Sequence, residues 1–201
     1  MASQAIEELI AELCRLPGFG VRTATRIAYF LLSRPKEDIY ALIDALKKFA
    51  ESVKVCSICF NVSECDPCPI CADENRDHSV ICVVEEPQDL AAIENTGVYD
   101  GVYHILGGVL DALEGISPDD LHIKELFQRV SEGDVKEVIL ALNPTSEGET
   151  TISYLTKYLK NYDVKITTLA KGISSGSDLE FADKRTIRQA LENRTKIEVE
   201  K

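Results

Sequence analysis

Over the first 54 residues, apolar positions recur three and four residues apart. Ile6, Leu9, Ile10, Leu13 and Leu16 put one apolar stripe on a helix over 6–16, which starts after a Ser3 cap and stops at Pro17-Gly18. Val21, Ala24, Ile27, Ala28 and Leu31 repeat the spacing over 21–32, and Ile39, Leu42, Ile43, Leu46 and Phe49 repeat it over 37–54. A cysteine cluster and a hydrophilic stretch at 73–79 follow, and the pattern then changes. Short runs rich in β-branched residues predict strands at 80–84, 101–106, 138–142 and 164–169. Between and after them, helices are expected at 87–95, 119–132, 148–162 and 182–192, the last entered from Ser177-Asp178, with a closing strand at 195–199. Strand alternating with helix implies an α/β fold with a mostly parallel sheet flanked by helices, in which ligands collect where strands end.

A length of 201 residues allows one medium domain or two small ones. With 45% hydrophobic and 28% charged residues the chain reads as globular and not disordered. No run of aliphatic and cysteine residues exceeds five, so no membrane span is expected, and the acidic start Met1-Ala-Ser-Gln-Ala-Ile-Glu-Glu lacks the basic and apolar regions of a secretory signal. A cytoplasmic location is expected. The net charge of -12 is unevenly placed: residues 1–55 carry eight basic and seven acidic side chains, and the remainder 14 basic and 27 acidic. A phosphate backbone repels such an acidic body, so any nucleic acid should meet the near-neutral head.

Leu16-Pro-Gly-Phe-Gly20 joins two helices by a tight turn in which Gly18 and Gly20 allow backbone conformations that other residues resist. The turn can press N–H groups against a phosphate at the start of the next helix, from which Arg22 and Arg26, four residues apart, project on one face. This pattern resembles the helix-hairpin-helix motif, a sequence-neutral grip on DNA; a plain helical hairpin with solvated arginines is the competing reading. Cys56-x2-Cys59 and Cys68-x2-Cys71 form two knuckles able to hold one metal with four sulfurs, the closed arrangement of structural zinc. Cys65 offers a competing pair with Cys68, and a redox dithiol is the other alternative. Cys14 and Cys82 fall in apolar patterns and read as buried thiols.

Glu85-Glu86-Pro-Gln-Asp89 follows the first predicted strand of the sheet, and Asn143-Pro-Thr-Ser-Glu147-Gly-Glu149 follows the third. Both acidic loops belong at the carboxyl edge of the sheet, where carboxylates can share Mg²⁺ or simply keep the edge solvated. The arrangement resembles a Toprim domain. A catalytic Toprim uses Asp-x-Asp after the later strand, and Asn143-Pro144-Thr145 stands there instead, which favours a binding surface over an active site. The glycine-serine loop at 170–183 reads as the approach to a capped helix, since no phosphate-loop lysine motif is present. His78, His104 and His122 are isolated and read as surface or satisfied histidines.

In this order and spacing, the Leu-Pro-Gly-Phe-Gly hairpin, the Cys56-Ser-Ile-Cys-Phe-Asn element, Val83-Val-Glu-Glu-Pro-x-Asp89 and Leu142-Asn-Pro-Thr-x-Glu-Gly-Glu149 resemble the RecR family of bacterial recombination mediators over nearly the whole chain. The resemblance implies four segments: 1–54 helix-hairpin-helix, 55–78 zinc element, 79–170 Toprim-like domain and 171–201 C-terminal loop, helix and strand. It implies a DNA-repair protein that forms a ring-like tetramer around DNA. Such a protein acts with RecO, in some settings RecF, to help load RecA on gapped or SSB-coated DNA, without catalytic turnover. By matching position, it implies DNA contacts at Arg22, Arg26, Gly18 and Gly20, one structural Zn²⁺ on Cys56, Cys59, Cys68 and Cys71, and an acidic RecO-facing edge of Glu85, Asp89, Glu147 and Glu149. At Ile173-Ser-Ser-Gly-Ser-Asp178 the chain departs from the family's Pro-Val-Gly-Gly, which weakens any nucleotide-related or ring-closing role there. A Mg-dependent Toprim nuclease or topoisomerase-like enzyme using Glu85, Glu147 and Glu149 is the alternative, and a zinc-stabilised scaffold without a DNA role a third reading.

Overall fold

A computed structural model describes residues 3–196, so the strand expected at 195–199 runs outside the described residues. The chain divides into two units, Met1–Val53 and Lys54–Lys201. The first is helical: α1 (Gln4–Leu13), α2 (Val21–Leu32) and α3 (Lys36–Ser52). The α1 helix stops short of the expected residue 16, because Arg15 and Leu16 bond back three residues, to Glu12 and Leu13. Leu16 precedes Pro17, whose ring disfavours the helical conformation at the residue before it. Helix α2 packs on α1 and buries Ala24 and Ala28. Along α3 no residue is buried, so its predicted apolar stripe is present but exposed among the described residues.

In the second unit a short antiparallel pair, β1 (Lys54–Val55) with β2 (Val62–Ser63), and the single turn α4 (Pro69–Ala72) frame the cysteine cluster. A four-stranded sheet follows: β3 (Asp77–Val84), α5 (Pro87–Glu94), β4 (Gly101–Ile105), α6 (Ile123–Glu132), β5 (Glu137–Leu140), α7 (Ser146–Leu159) and β6 (Lys165–Thr168), then α8 (Lys184–Glu192). The strand order is β4-β3-β5-β6 and every pair is parallel, with Val83 opposite Leu140 and Val84 opposite Ile105. Alternation along β3 separates two cores. Ile81 and Val83 pack in a cluster with α6 and α7 (Leu126, Val130, Leu155, Leu159), whereas Cys82 and Val84 join Tyr103, Ile105 and Leu90 of α5 in a second. Helices α5 and α7 thus cover opposite faces, and the chain leaves the sheet in opposite directions after the adjacent strands β3 and β5.

Three boundaries differ from the sequence pattern for identifiable reasons. Strand β3 begins at Asp77, inside the predicted polar stretch, because its first residues are on the exposed end of the strand. The helix expected at 119–132 is broken into a 3-10 turn (Pro118–Asp120) and α6, since Leu121 extends into the core and the His122 N–H bonds to the Leu106 carbonyl. Helix α8 starts from Asp183, which accepts from the N–H groups of Arg185 and Thr186, and not from Ser177-Asp178.

Candidate functional site

In the hairpin turn of the helical unit, Gly18 has φ +78°, a left-handed conformation that favours glycine. Gly20 differs from expectation: it sits at φ -83° as the N-cap of α2, a conformation open to other residues. With no side-chain cap and no acidic residue in the first turn, the leading N–H groups of α2 keep their positive end uncompensated. Arg22 and Arg26 are both exposed on this helix, and neither makes an ion pair among the described residues. The turn therefore presents two free guanidinium groups beside an uncapped helix start, a geometry suited to a phosphate backbone.

The four cysteines Cys56, Cys59, Cys68 and Cys71 are buried, and their sulfurs all lie within 4.8 Å of one another. Tetrahedral zinc with sulfur at about 2.3 Å spaces its ligands roughly 3.8 Å apart, and the Cys59 and Cys68 sulfurs are 3.5 Å apart. The Asn61 carbonyl accepts from the Cys56 N–H, and the Cys68 N–H donates to the Cys56 sulfur at 3.3 Å. S–H donation from Cys71 pulls the Cys59 thiol down, whereas burial pushes Cys68 up, and Cys71 is pushed up by its role as donor to Cys59. A dication relieves that conflict by stabilising all four thiolates, so the donor set fits one structural Zn²⁺. Cys65 is exposed, near Ser63, and stands apart from the cluster. Cys82 is buried as expected, its thiol pushed up to about 12 by burial, but Cys14 is only half-buried.

At the carboxyl edge of the sheet the four acids do not converge. Glu85 accepts from the backbone N–H of Asn143 at 2.6 Å and from its Nδ2 at 2.8 Å. Asp89 accepts from the Glu86 N–H in a capping box at the start of α5. Glu149 is paired with Lys171, and Arg185 lies 3.6 Å from the same oxygen. Glu147 is half-buried in the first turn of α7, with no side-chain partner among the described residues. Among those residues the cysteine cluster is the only group of three or more candidate ligands that could hold a metal ion. A cavity of about 780 Å³ opens at this edge, between β5, β6 and α8, lined in part by Asp89, Asn143, Lys171 and Arg185. Sequence spacing carries no signal for the Glu85–Asn143 pair, whose members are 58 residues apart.

The histidines differ among themselves. His78 is exposed, with Nε2 3.0 Å from the Asp73 carbonyl, and His122 stacks on Phe60 at 3.8 Å. His104 is fully buried with Nε2 2.7 Å from the His122 carbonyl, and its Nδ1 has no partner among the described residues, so it is not fully satisfied.

No helix among the described residues is long and apolar enough to cross a membrane. Family models match the chain in sequence: the RecR helix-hairpin-helix over residues 6–50, the RecR four-cysteine zinc finger domain over 53–73, the Toprim domain over 79–170 and the RecR C-terminal segment over 172–195. The Recombination protein RecR of Bifidobacterium adolescentis is 51% identical over 193 residues, covering 96% of each chain. Its namesake in Gloeobacter violaceus is 50% identical over 197 residues, covering 98% of this chain and 100% of its own. With a helical head, a four-cysteine zinc centre and a parallel sheet in that order, and half of its residues shared end to end with such relatives, the chain belongs to the RecR family of recombination proteins.

Proposed function

We propose that this protein is a non-catalytic, DNA-binding recombination mediator of the cytoplasm that closes into a ring-like tetrameric clamp. It acts with RecO, in some settings with RecF, to help load RecA on gapped or SSB-coated DNA. Segment 1–54 grips DNA without sequence preference, 55–78 is the zinc element, 79–170 the Toprim-like domain, and 171–201 the C-terminal segment. The observation that carries the reading is the uncapped start of α2 beside Gly18 and Gly20, with Arg22 and Arg26 exposed and unpaired among the described residues. A single such head is a weak phosphate grip, and a ring that presents several toward its hole gains by multivalency. Glu85, Asp89, Glu147 and Glu149 make the sheet edge an acidic surface for a basic partner, RecO, and keep it from phosphate.

The test is DNA binding by the wild type and by the Arg22→Ala/Arg26→Ala double variant, with and without RecO, at low and high salt. Binding should weaken steeply with salt, rise with RecO and be lost in the double variant. Intact binding by the double variant removes the hairpin from the interface. Nicking of plasmid by the wild type in Mg²⁺, abolished by Glu85→Gln, replaces the mediator with an enzyme.

A further inference from the structure

Glu85 leaves the carboxyl end of β3 and Asn143 that of β5, neighbouring strands after which the chain turns to opposite faces of the sheet. Between two such strands a parallel sheet opens the crevice in which its ligands sit. Here protein spans that crevice. The backbone N–H of Asn143 donates to one oxygen of Glu85 at 2.6 Å and the side-chain amide to the other at 2.8 Å. The backbone of both residues is held in place. The Ala141 N–H continues the ladder to the Val83 carbonyl, and the Glu85 carbonyl accepts from Gly107. The Asn143 carbonyl accepts from Thr145, and it lies 2.1 Å from the position a Cβ would take at Gly148, so only glycine lets the first turn of α7 close over it.

We propose that Asn143 takes the place of a cation in this crevice: its two fixed N–H donors occupy both oxygens of Glu85, and its amide, where a carboxylate would complete a ligand pair, keeps divalent metal from the Toprim edge. The inference rests on the non-catalytic reading and gives it a cause at one residue. Hard cations need several oxygen ligands, and Asn143 turns nitrogen toward Glu85. An aspartate at 143 would set a second carboxylate against the first, an arrangement that is unfavourable until a proton or a cation is shared between them.

Mn²⁺ binding to the zinc-loaded full chain, read by electron paramagnetic resonance, tests this in wild type, E85Q, N143D and the E85Q/N143D pair. Wild type and E85Q should bind Mn²⁺ alike, since Glu85 is already engaged. N143D should gain one site roughly tenfold or more tighter than any in wild type, and E85Q should abolish that gain. N143D should also melt below wild type and recover when Mn²⁺ is added, whereas N143A, which loses the donor without adding an acid, should melt lower and not recover. A folded N143D without a new site overturns the proposal, as does weaker Mn²⁺ binding by E85Q than by wild type. The second comparison leaves position 143 untouched and decides the matter if N143D does not fold. Failure of the mediator reading would look different, as DNA nicking by the wild type itself.

Discussion

His104 lies fully buried in β4, its Nε2 against the His122 carbonyl and its Nδ1 unpartnered among the described residues. A neutral ring donating from Nε2 fits that setting; an imidazolium would add a buried charge and an unpaired N–H. Burial accordingly lowers its pKa from 6.5 to about 3. Because the folded value lies below the unfolded one, the unfolded chain takes up the proton first, so stability is full above about pH 6.5 and is lost as pH falls toward about 3. Within that window the loss approaches ~1.4 kcal/mol per pH unit. His104→Gln can still donate to the His122 carbonyl and does not titrate, so its stability should fall less steeply with acid, by about one proton. Urea unfolding of both proteins between about pH 7 and 5 reads the difference. Parallel slopes would show that His104 is protonated in the fold at no cost. The acids of the sheet edge differ in the same local way: Glu85, Asp89 and Glu149 each hold a neighbour, which leaves the Glu147 side chain as the one most available to a basic partner.

The zinc element and the edge strand β4 form one closed device. A sheet edge normally leaves polar backbone groups unpaired. Along β4 the Gly101 carbonyl accepts from Arg76 at 2.9 Å, the Tyr103 carbonyl accepts from Arg129 at 2.6 Å, and the Ile105 N–H donates to the carbonyl of Cys59 at 2.9 Å. Arg76 is itself held by Glu94, which also accepts from the Tyr103 hydroxyl. Phe60, at φ +64°, stacks on His122 and meets His104 edge-on, so the knuckle that holds the metal also seats on the sheet. Removing zinc should therefore unfold 56–71 and, with it, raise hydrogen exchange at the Ile105 amide by of order tenfold, the effect of one lost hydrogen bond of ~1 kcal/mol. The inner amides of Leu140 and Val83 should stay protected. Exchange mass spectrometry with and without a chelator distinguishes the cases, and an unchanged Ile105 would mean that the knuckle merely rests on the edge. Such long-range pairings decide what a sequence discloses. The helices α2, α3 and α7 were legible because one face of each carries the apolar pattern, the four sheet strands because each is a short run rich in β-branched residues, and the zinc ligands because their spacing is local. The pair β1–β2, the break at Leu121-His122 and the Glu85–Asn143 clamp were not, because strand order and backbone bonds between distant segments set them.

At the scale of the molecule, charge and apolar surface are segregated. The body after residue 55 holds 27 acidic against 14 basic side chains, whereas the head is close to neutral. The head also carries exposed apolar surface: on α3, Leu42, Ile43, Leu46 and Phe49 keep 38–66% of their surface exposed among the described residues. Their spacing places them on one stripe of a 17-residue helix, and a helix that buries none of its residues draws little stability from its own chain. In the proposed ring a second copy of the same head would cover it, since self-association buries the stripe, with each large apolar side chain contributing ~1.5–3 kcal/mol against the cost of association. Leu46→Glu with Phe49→Glu places two charges on that stripe. The wild type should run in light scattering as a multiple of the 22.2 kDa chain, and the double variant at a lower multiple, with its helical circular dichroism unchanged. DNA affinity should fall with it by about 10²-fold, because heads that no longer sit in one assembly lose their shared effective concentration although Arg22 and Arg26 are intact. The salt dependence should flatten in parallel, as fewer phosphates are met per binding event. A double variant that keeps its mass would place the ring contacts elsewhere, and one that loses its mass but keeps its affinity would show that a single head suffices to hold DNA.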